Sequence, residues 1–465
     1  MSPRVAAYVI AGLIALALSY DLLRVPVQVS DSLFEIVDAE RAPSVWAAFT
    51  DQIGGAAYLR PLRIAQIKIL FDLADGHYWL VYRGFHALLL TAALLLFVSA
   101  LRVRTWADSA AAIFGLTVLT GLHTFRGLVR EGFPINHFLE IVVFCLIALN
   151  LSRSRHRWWT DVAAFATVVA ASLTLESGLL AGVIVIMAWA TGMQGVSRRG
   201  VLSVVGFLVA YFVFRFLSLS TGTPGLDERS SGYLLRMLEP DELQREFGSN
   251  PFWFYVYNVV TSVLSVLLSD PDGGIFETVR AWYLGGIPPR LYLAVATSAL
   301  MTSLLVWVVV TRVKARAFGD GERLLVVAAA VLGANAVMSY AYTKHEIISV
   351  AGAFYAVAAF VAAQRSLEYL KTPRVRGRVT LVVLLALLSV GWSVRSAGVH
   401  HMLRVQAFKV RNDWARLPPA LLSDAGSVRE QRSAKLVRQL QQEALAMPVT
   451  NAFRLPMWTD RWWGE

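Results

Sequence analysis

Charged residues are scarce in this chain. They make up 16% of its 465 residues against 56% hydrophobic, where a soluble domain carries about a quarter charged. That excludes an ordinary soluble domain and, more firmly, a disordered chain. Cysteine is nearly absent: Cys145, inside an apolar stretch, is the only one, so neither an internal disulfide nor a cysteine-based metal cluster can form. No Walker A loop and no G-x-G-x-x-G after a strand occurs, so nothing points to a cytosolic nucleotide. His400 and His401 are adjacent and would diverge on a helix, so no metal site can be argued and no cofactor is expected. Internal repeats and low-complexity tracts are missing too. The net charge of +11 falls in short runs between apolar stretches and not in one patch, which argues against a nucleic-acid partner.

What the sequence does have is long apolar runs, and its mean hydropathy is +0.55. Measured against a hydrocarbon core of ~30 Å, or roughly 20 helical residues, they give about eleven candidate spans. These fall near 5–23, 79–101, 107–122, 136–151, 161–175, 179–193, 200–219, 291–311, 324–342, 347–363 and 379–394. Several are short for a lone span and must sit inside a bundle. The first is expected to be a retained helix, since a single Arg4 precedes it and no small-x-small cleavage site follows. The expectation is therefore an all-α polytopic membrane protein.

Arginine and lysine in the short loops set the orientation. With the N-terminus cytoplasmic, the inner loops hold Arg102, Arg104, Arg153, Arg155, Arg157, Arg198, Arg199, Arg312, Lys314, Arg316 and Arg323, then Arg365, Lys371, Arg374, Arg376 and Arg378; the short outer loops hold only Arg126, Arg130 and Lys344. The apolar segment Phe252–Leu268 would invert every later loop if it crossed, so it is expected to lie in, or dip into, the outer interface. The layout is then a transmembrane domain over 1–395, with outer loops 24–78 and 220–290, and an extracytoplasmic helical tail over 396–465. In the tail, Trp458, Trp462 and Trp463 have the character of interface anchors. The whole is placed in the plasma (inner) membrane.

Ionisable residues in or beside spans are costly and mark function. Here they gather at the outer level: Asp31 and Arg60 in the first loop, and His86 early in the second span. His123, Arg126, Arg130, Glu131, Asn136, His137 and Glu140 crowd the second outer loop and the helix leaving it. Glu176 sits in a tight turn, Arg215 near a span end, and Lys344, His345 and Glu346 in a later turn. An outward-facing polar cavity follows, in which cations suit a phosphate and a carboxylate suits proton abstraction from a hydroxyl. Each residue also has a structural reading. Asp31 can cap the helix after it, with Glu35, Asp38 or Asp21 in its place as base; Arg60 can snorkel, His86 can pack, and Glu176 can bind its own turn.

The order Asp31, then Tyr58-Leu59-Arg60-Pro61-Leu62, then Gly84-Phe85-His86 resembles the membrane-embedded GT-C-type glycosyltransferases, in particular the protein mannosyltransferase and TMTC-like group. Thr174-Leu175-Glu176-Ser177 looks like that group's Ser-Lys-Glu turn with Leu175 in place of Lys, and the stretch from Ser339 to His345 falls where the group has residues near the lipid phosphate. The resemblance covers about residues 1–395 by topology and 1–180 by motif. It departs from the family where Ser32, and not a second acid, follows Asp31. It implies a GT-C-like bundle and a polyprenyl-phosphate-linked sugar as donor, with a glycan, lipid or protein as acceptor. Asp31 would be the general base. Arg60, His86, His123, Arg126, Arg130, Glu131, His137, Glu176, Lys344 and His345 would surround the substrates. A lipid or solute transporter, or a non-catalytic envelope assembly protein, is the alternative; a transporter would need a polar path to both faces.

Overall fold

The computed structural model describes residues 1–29, 31–54, 59–130, 135–218, 231–233, 236–268, 281–286, 289–371, 377–417 and 428–448. Nearly all of them are helical. In chain order the helices are α1 (Pro3–Leu22), α2 (Asp31–Arg41), α3 (Val45–Gly54), α4 (Pro61–Ala74), α5 (Tyr78–Leu101), α6 (Trp106–Gly121), α7 (His123–Arg130), α8 (His137–Arg153) and α9 (Trp158–Thr174). They continue with α10 (Leu179–Ala190), α11 (Arg198–Val213), α12 (Pro240–Phe247), α13 (Phe252–Leu268), α14 (Pro289–Lys314), α15 (Asp320–Met338), α16 (Ser349–Leu370), α17 (Arg378–Ala415) and α18 (Val428–Ala446). Six of them, α1, α5, α14, α15, α16 and α17, are long and apolar enough to cross a membrane, and there are eight such spans if the bent pairs α6/α7 and α12/α13 each count as one. The chain thus has the helices of a multi-pass membrane protein.

Local sequence explains where the helices begin. Thr105 and Asp108 form a reciprocal capping box on α6, with Asp108 N donating to Thr105 Oγ1 at 3.1 Å and Thr105 N to Asp108 Oδ2 at 2.8 Å. Ser197 caps α11 and is itself held by Asp161, to which its hydroxyl donates at 2.6 Å. Asn136 caps α8, and Pro61 occupies the first turn of α4, where its missing N–H costs nothing.

The bundle is organised around α16. From Ser349 to Ala363 every residue is buried, and Ala351, Gly352, Ala353, Ala356, Ala359 and Ala362 let neighbouring backbones come close. Its main partners are α15 and α6. Around it, one apolar core joins α1, α5, α6, α8, α10 and α17. Arg102 after α5, Arg153 at the end of α8 and Arg323 in the first turn of α15 make one end of the bundle basic; α2, α4, α7, the turn after α9 and the turn before α16 lie at the other.

Four features refine the sequence layout. First, α17 is one continuous helix of 38 residues, about 57 Å at 1.5 Å per residue, so the boundary expected at residue 395 falls inside it. Its far end is not a separate tail: Trp414, with Val410, packs on Val27, Ile36, Ile67 and α18 in a second core. Second, α13 descends beside α14, α15 and α16. Asn258 donates to Tyr340 O at 2.9 Å near the top of α15, and Leu267 O accepts from Thr302 at 2.6 Å halfway along α14. Third, a small sheet adds an element absent from the all-helical expectation: β1 (Ser231–Tyr233) pairs antiparallel with β2 (Arg236–Leu238) and parallel with β3 (Tyr342–Thr343). Fourth, α2 packs on α4 and on α18, so the first long loop is a folded cap. The tail tryptophans Trp458, Trp462 and Trp463 lie outside the described residues.

Candidate functional site

The ionisable residues singled out by sequence gather at one end of the bundle in two connected groups. The first is built on Glu176, at the start of a one-turn 3-10 helix linking α9 to α10. Gly178 makes that turn possible: a Cβ there would stand 2.0 Å from Ala171 O. Glu176 Oε2 accepts from Arg60 Nε at 2.9 Å and pairs with Nη2 at 2.7 Å, and Oε1 lies 3.3 Å from Nη1 of the buried Arg215. Two guanidiniums, one from the residue before α4 and one from the turn after α11, therefore flank a single carboxylate. Burial pushes the Glu176 carboxyl up, but Arg60 and then Arg215 outweigh it and hold the group below its usual range. Arg215 is also within electrostatic reach of the Tyr211 hydroxyl.

Arg63, one turn past Arg60, pairs with Glu35 of α2. Here desolvation wins, raising the Glu35 carboxyl above its usual range against the pull of Arg63 and Arg60, and the charge of nearby Asp31 adds to the rise. Asp31, one turn before Glu35 in the first turn of α2, is exposed. Gln66 of the same α4 donates to Glu140 Oε1 at 2.6 Å, while His137 Nδ1 lies 3.3 Å from Glu140 Oε2. His86 is fully buried, with Nε2 3.0 Å from Asn136 Nδ2. It ties α5 to the start of α8, a packing contact behind the site.

The second group surrounds the turn between α15 and α16. The rings of His123 and His345 meet edge to face, 4.7 Å between centroids. Lys344 Nζ is 3.9 Å from Glu346 Oε2 and 5.5 Å above the Phe138 ring, adjacent to His137. The α7 helix presses on this turn at Gly127, where a Cβ would lie 2.9 Å from that of His345. Arg126 and Arg395 are within electrostatic reach of His123. Arg395, buried in α17, donates to Ala294 O at 3.1 Å and to the hydroxyls of Thr297 and Ser298, both at 2.8 Å. Arg130 ends α7, but its side chain, like the whole of Glu131, lies outside the described residues.

The structure thus brings together Asp31, Arg60 and Glu176 through Glu35 and Arg63, and His123, His345 and Lys344 through α7 and α8. Sequence reading gave no role to Arg395 or Tyr211 and left Glu35 only as a stand-in for Asp31. Arg395 carried a signal, an arginine at the end of an apolar run; a tyrosine in an apolar helix carries none. No group of three or more His, Cys, Asp or Glu that could hold a metal ion occurs among the described residues. Compared with protein-family models, curated proteins and solved structures, the chain matches none of them.

Proposed function

We propose that this protein is a membrane glycosyltransferase that moves a sugar from a polyprenyl-phosphate donor to an extracytoplasmic acceptor by one inverting displacement. The observation that carries the reading is the meeting of Asp31, Arg60 and Glu176 with Glu35 and Arg63 at a single end of the bundle, in the order that resembles the GT-C group. In the proposed topology α1, α5, α6, α8, α9, α10, α11, α14, α15, α16 and α17 are the spans of a GT-C-like bundle. On this reading α13 is re-entrant, the N-terminus is cytoplasmic and the site faces outward across the plasma membrane.

Asp31, exposed and one turn from Glu35, accepts the proton of the acceptor hydroxyl as its oxygen attacks the anomeric carbon. The bond from that carbon to the lipid phosphate breaks and its electron pair leaves with the phosphate, an anion stable enough to need no acid. Lys344, whose Nζ lies 3.9 Å from Glu346 Oε2, meets the donor phosphate. Arg60 is occupied by Glu176, so its part is to fix α4 and the cap beneath the substrates, a narrower role than direct phosphate binding. The lipid tail lies between helices.

The test is transfer from a radiolabelled polyprenyl-phosphate sugar by the purified full-length protein in liposomes. Asp31→Asn is expected to lower transfer by about 10² to 10⁴ with donor binding intact. Lys344→Ala is expected to weaken donor binding by ~1.5 to 3 kcal/mol, the worth of a hydrogen bond to a charged group. Full activity of Asp31→Asn would remove Asp31 as base. A wild-type protein that consumes no such donor would favour the transporter alternative.

A further inference from the structure

The opposite end of the bundle holds a cavity of about 860 Å³ that plays no part in sugar transfer. Its lining contains Arg4, Arg102, Arg104, Arg153, Arg155 and Arg323 against one acid, Asp320. That acid is already paired with Arg153 and lies within electrostatic reach of Arg102, so the six arginines outnumber the one lining carboxylate. Loops at this end of a membrane protein are basic for topological reasons alone, and scattered charges would not make a site. Here they converge. The segment after α5, the end of α8, the start of α1 and the start of α15 each contribute to one concavity.

Two observations point to a ligand. Arg153 is buried to 5% exposure, and its Nε makes no hydrogen bond although Nη1 and Nη2 are engaged by Ala100 O and Asp320. Arg323 likewise has a buried Nε without a partner, while Nη1 donates to Gly192 O at 3.2 Å. Six guanidinium groups converging on one cavity suit the several oxygens of a phosphate group, which accept in forked pairs. The level of the cavity suits a lipid. Trp106 and Trp158, both exposed at 60% and 78%, begin the helices beside it, and exposed tryptophans of this kind mark the headgroup layer.

We propose that this cavity binds the phosphate of an anionic ligand, with the headgroup of an anionic phospholipid in the adjoining leaflet as its occupant. The arginines would hold the phosphate while the acyl chains lie along the bundle, fixing the orientation and tilt of α1, α8 and α15.

The experiment is native mass spectrometry of the full-length protein, purified in neutral detergent, with phosphatidylglycerol, phosphatidylcholine or inorganic pyrophosphate added. Wild-type protein is expected to retain phosphatidylglycerol but not phosphatidylcholine. The exposed rim variant Arg104→Gln/Arg155→Gln, which removes no buried contact, is expected to bind it about tenfold more weakly. Lys314→Gln/Arg316→Gln, at exposed basic positions outside the cavity lining, is expected to bind as wild type does. Pyrophosphate binding with the same dependence on Arg104 and Arg155, in place of lipid, would uphold the phosphate site and make its occupant soluble. Equal retention of both lipids with no pyrophosphate binding would overturn the proposal. So would equal losses in the two double variants, since binding would then follow general positive charge.

Discussion

At the residue scale, two carboxylates at the candidate site are driven in opposite directions by similar surroundings. Glu35 and Glu176 are each partly buried against an arginine, yet desolvation dominates at the first and two guanidiniums together outweigh it at the second. In a carboxyl-resolved titration, by infrared difference or carbon-13 labelling, Glu35 is expected to take up its proton at a higher pH than Glu176. The stability that Glu176 contributes has a definite sign. Its folded value is depressed, so the contribution is present above the range of a free glutamate and is lost as pH falls through the folded value. Glu176→Gln leaves Arg60 and the buried Arg215 facing each other, and removing one partner of a buried pair costs about 3 kcal/mol or more. Thermal unfolding in detergent should show a lowered midpoint, and changing all three groups to apolar residues should recover much of it. An unchanged midpoint for Glu176→Gln would mean that water, and not the carboxylate, compensates the two cations.

At the element scale, the long α17 does what its apolar half alone could not. The first part packs in the bundle, and the last turns carry Trp414 into a core shared by α2, α4 and α18. There Trp414 Nε1 donates to Val27 O at 2.6 Å, and its own carbonyl accepts from Gln441 at 3.0 Å. Trp79 N reaches Glu443 Oε2 at 3.2 Å, so α18 also clamps the start of α5. Trp414→Ala removes a fully buried side chain, at a cost of about 3 to 5 kcal/mol in a core that cannot collapse. Limited proteolysis should then cut α18 much faster than in the wild type, while the helices around α16 stay protected. The turn after α9 gives a second element-level outcome. Gly178→Ala must push the 3-10 turn off Ala171, which moves Glu176 away from Arg60, so Gly178→Ala should reproduce much of the loss seen for Glu176→Gln. A variant as stable as wild type would show that the turn has room to yield.

At the scale of the whole molecule, the two ends of the bundle differ in kind: one has arginine-rich loops around an open cavity, the other carboxylates and histidines under a folded cap. The orientation proposed from the loop charges gives a direct expectation for intact cells. A cysteine at Asp413, exposed near the end of α17, should react with an impermeant maleimide, and one at Arg104 should react only after the membrane is opened. Cys145 is buried and leaves the background silent. The reverse pattern would turn the protein over and put the candidate site on the cytoplasmic side, where a polyprenyl-phosphate donor used from outside makes no sense.

Composition and long apolar runs alone determined that the chain has the helices of a multi-pass membrane protein and roughly where its apolar helices lie. The reason is local: each backbone in hydrocarbon must satisfy its own hydrogen bonds, and residues such as Thr105, Asp108, Asn136 and Pro61 mark the helix starts within a few positions. The order of Asp31, Arg60, Glu176 and Lys344 pointed to one end of the bundle because ionisable residues near spans must collect where water reaches. What only the tertiary structure decided is how those residues are paired. Whether Arg60 faces a ligand or Glu176 depends on a contact across 116 positions of chain, and Arg215 joins it from a third element. The same holds for α17, whose apolar run ends near residue 394 while the helix does not, since burial of Trp414 against the first loop replaces the membrane as the reason for order. Desolvation separates Glu35 from Glu176, and the basic loops close into a cavity, through three-dimensional neighbours that spacing along the chain does not encode.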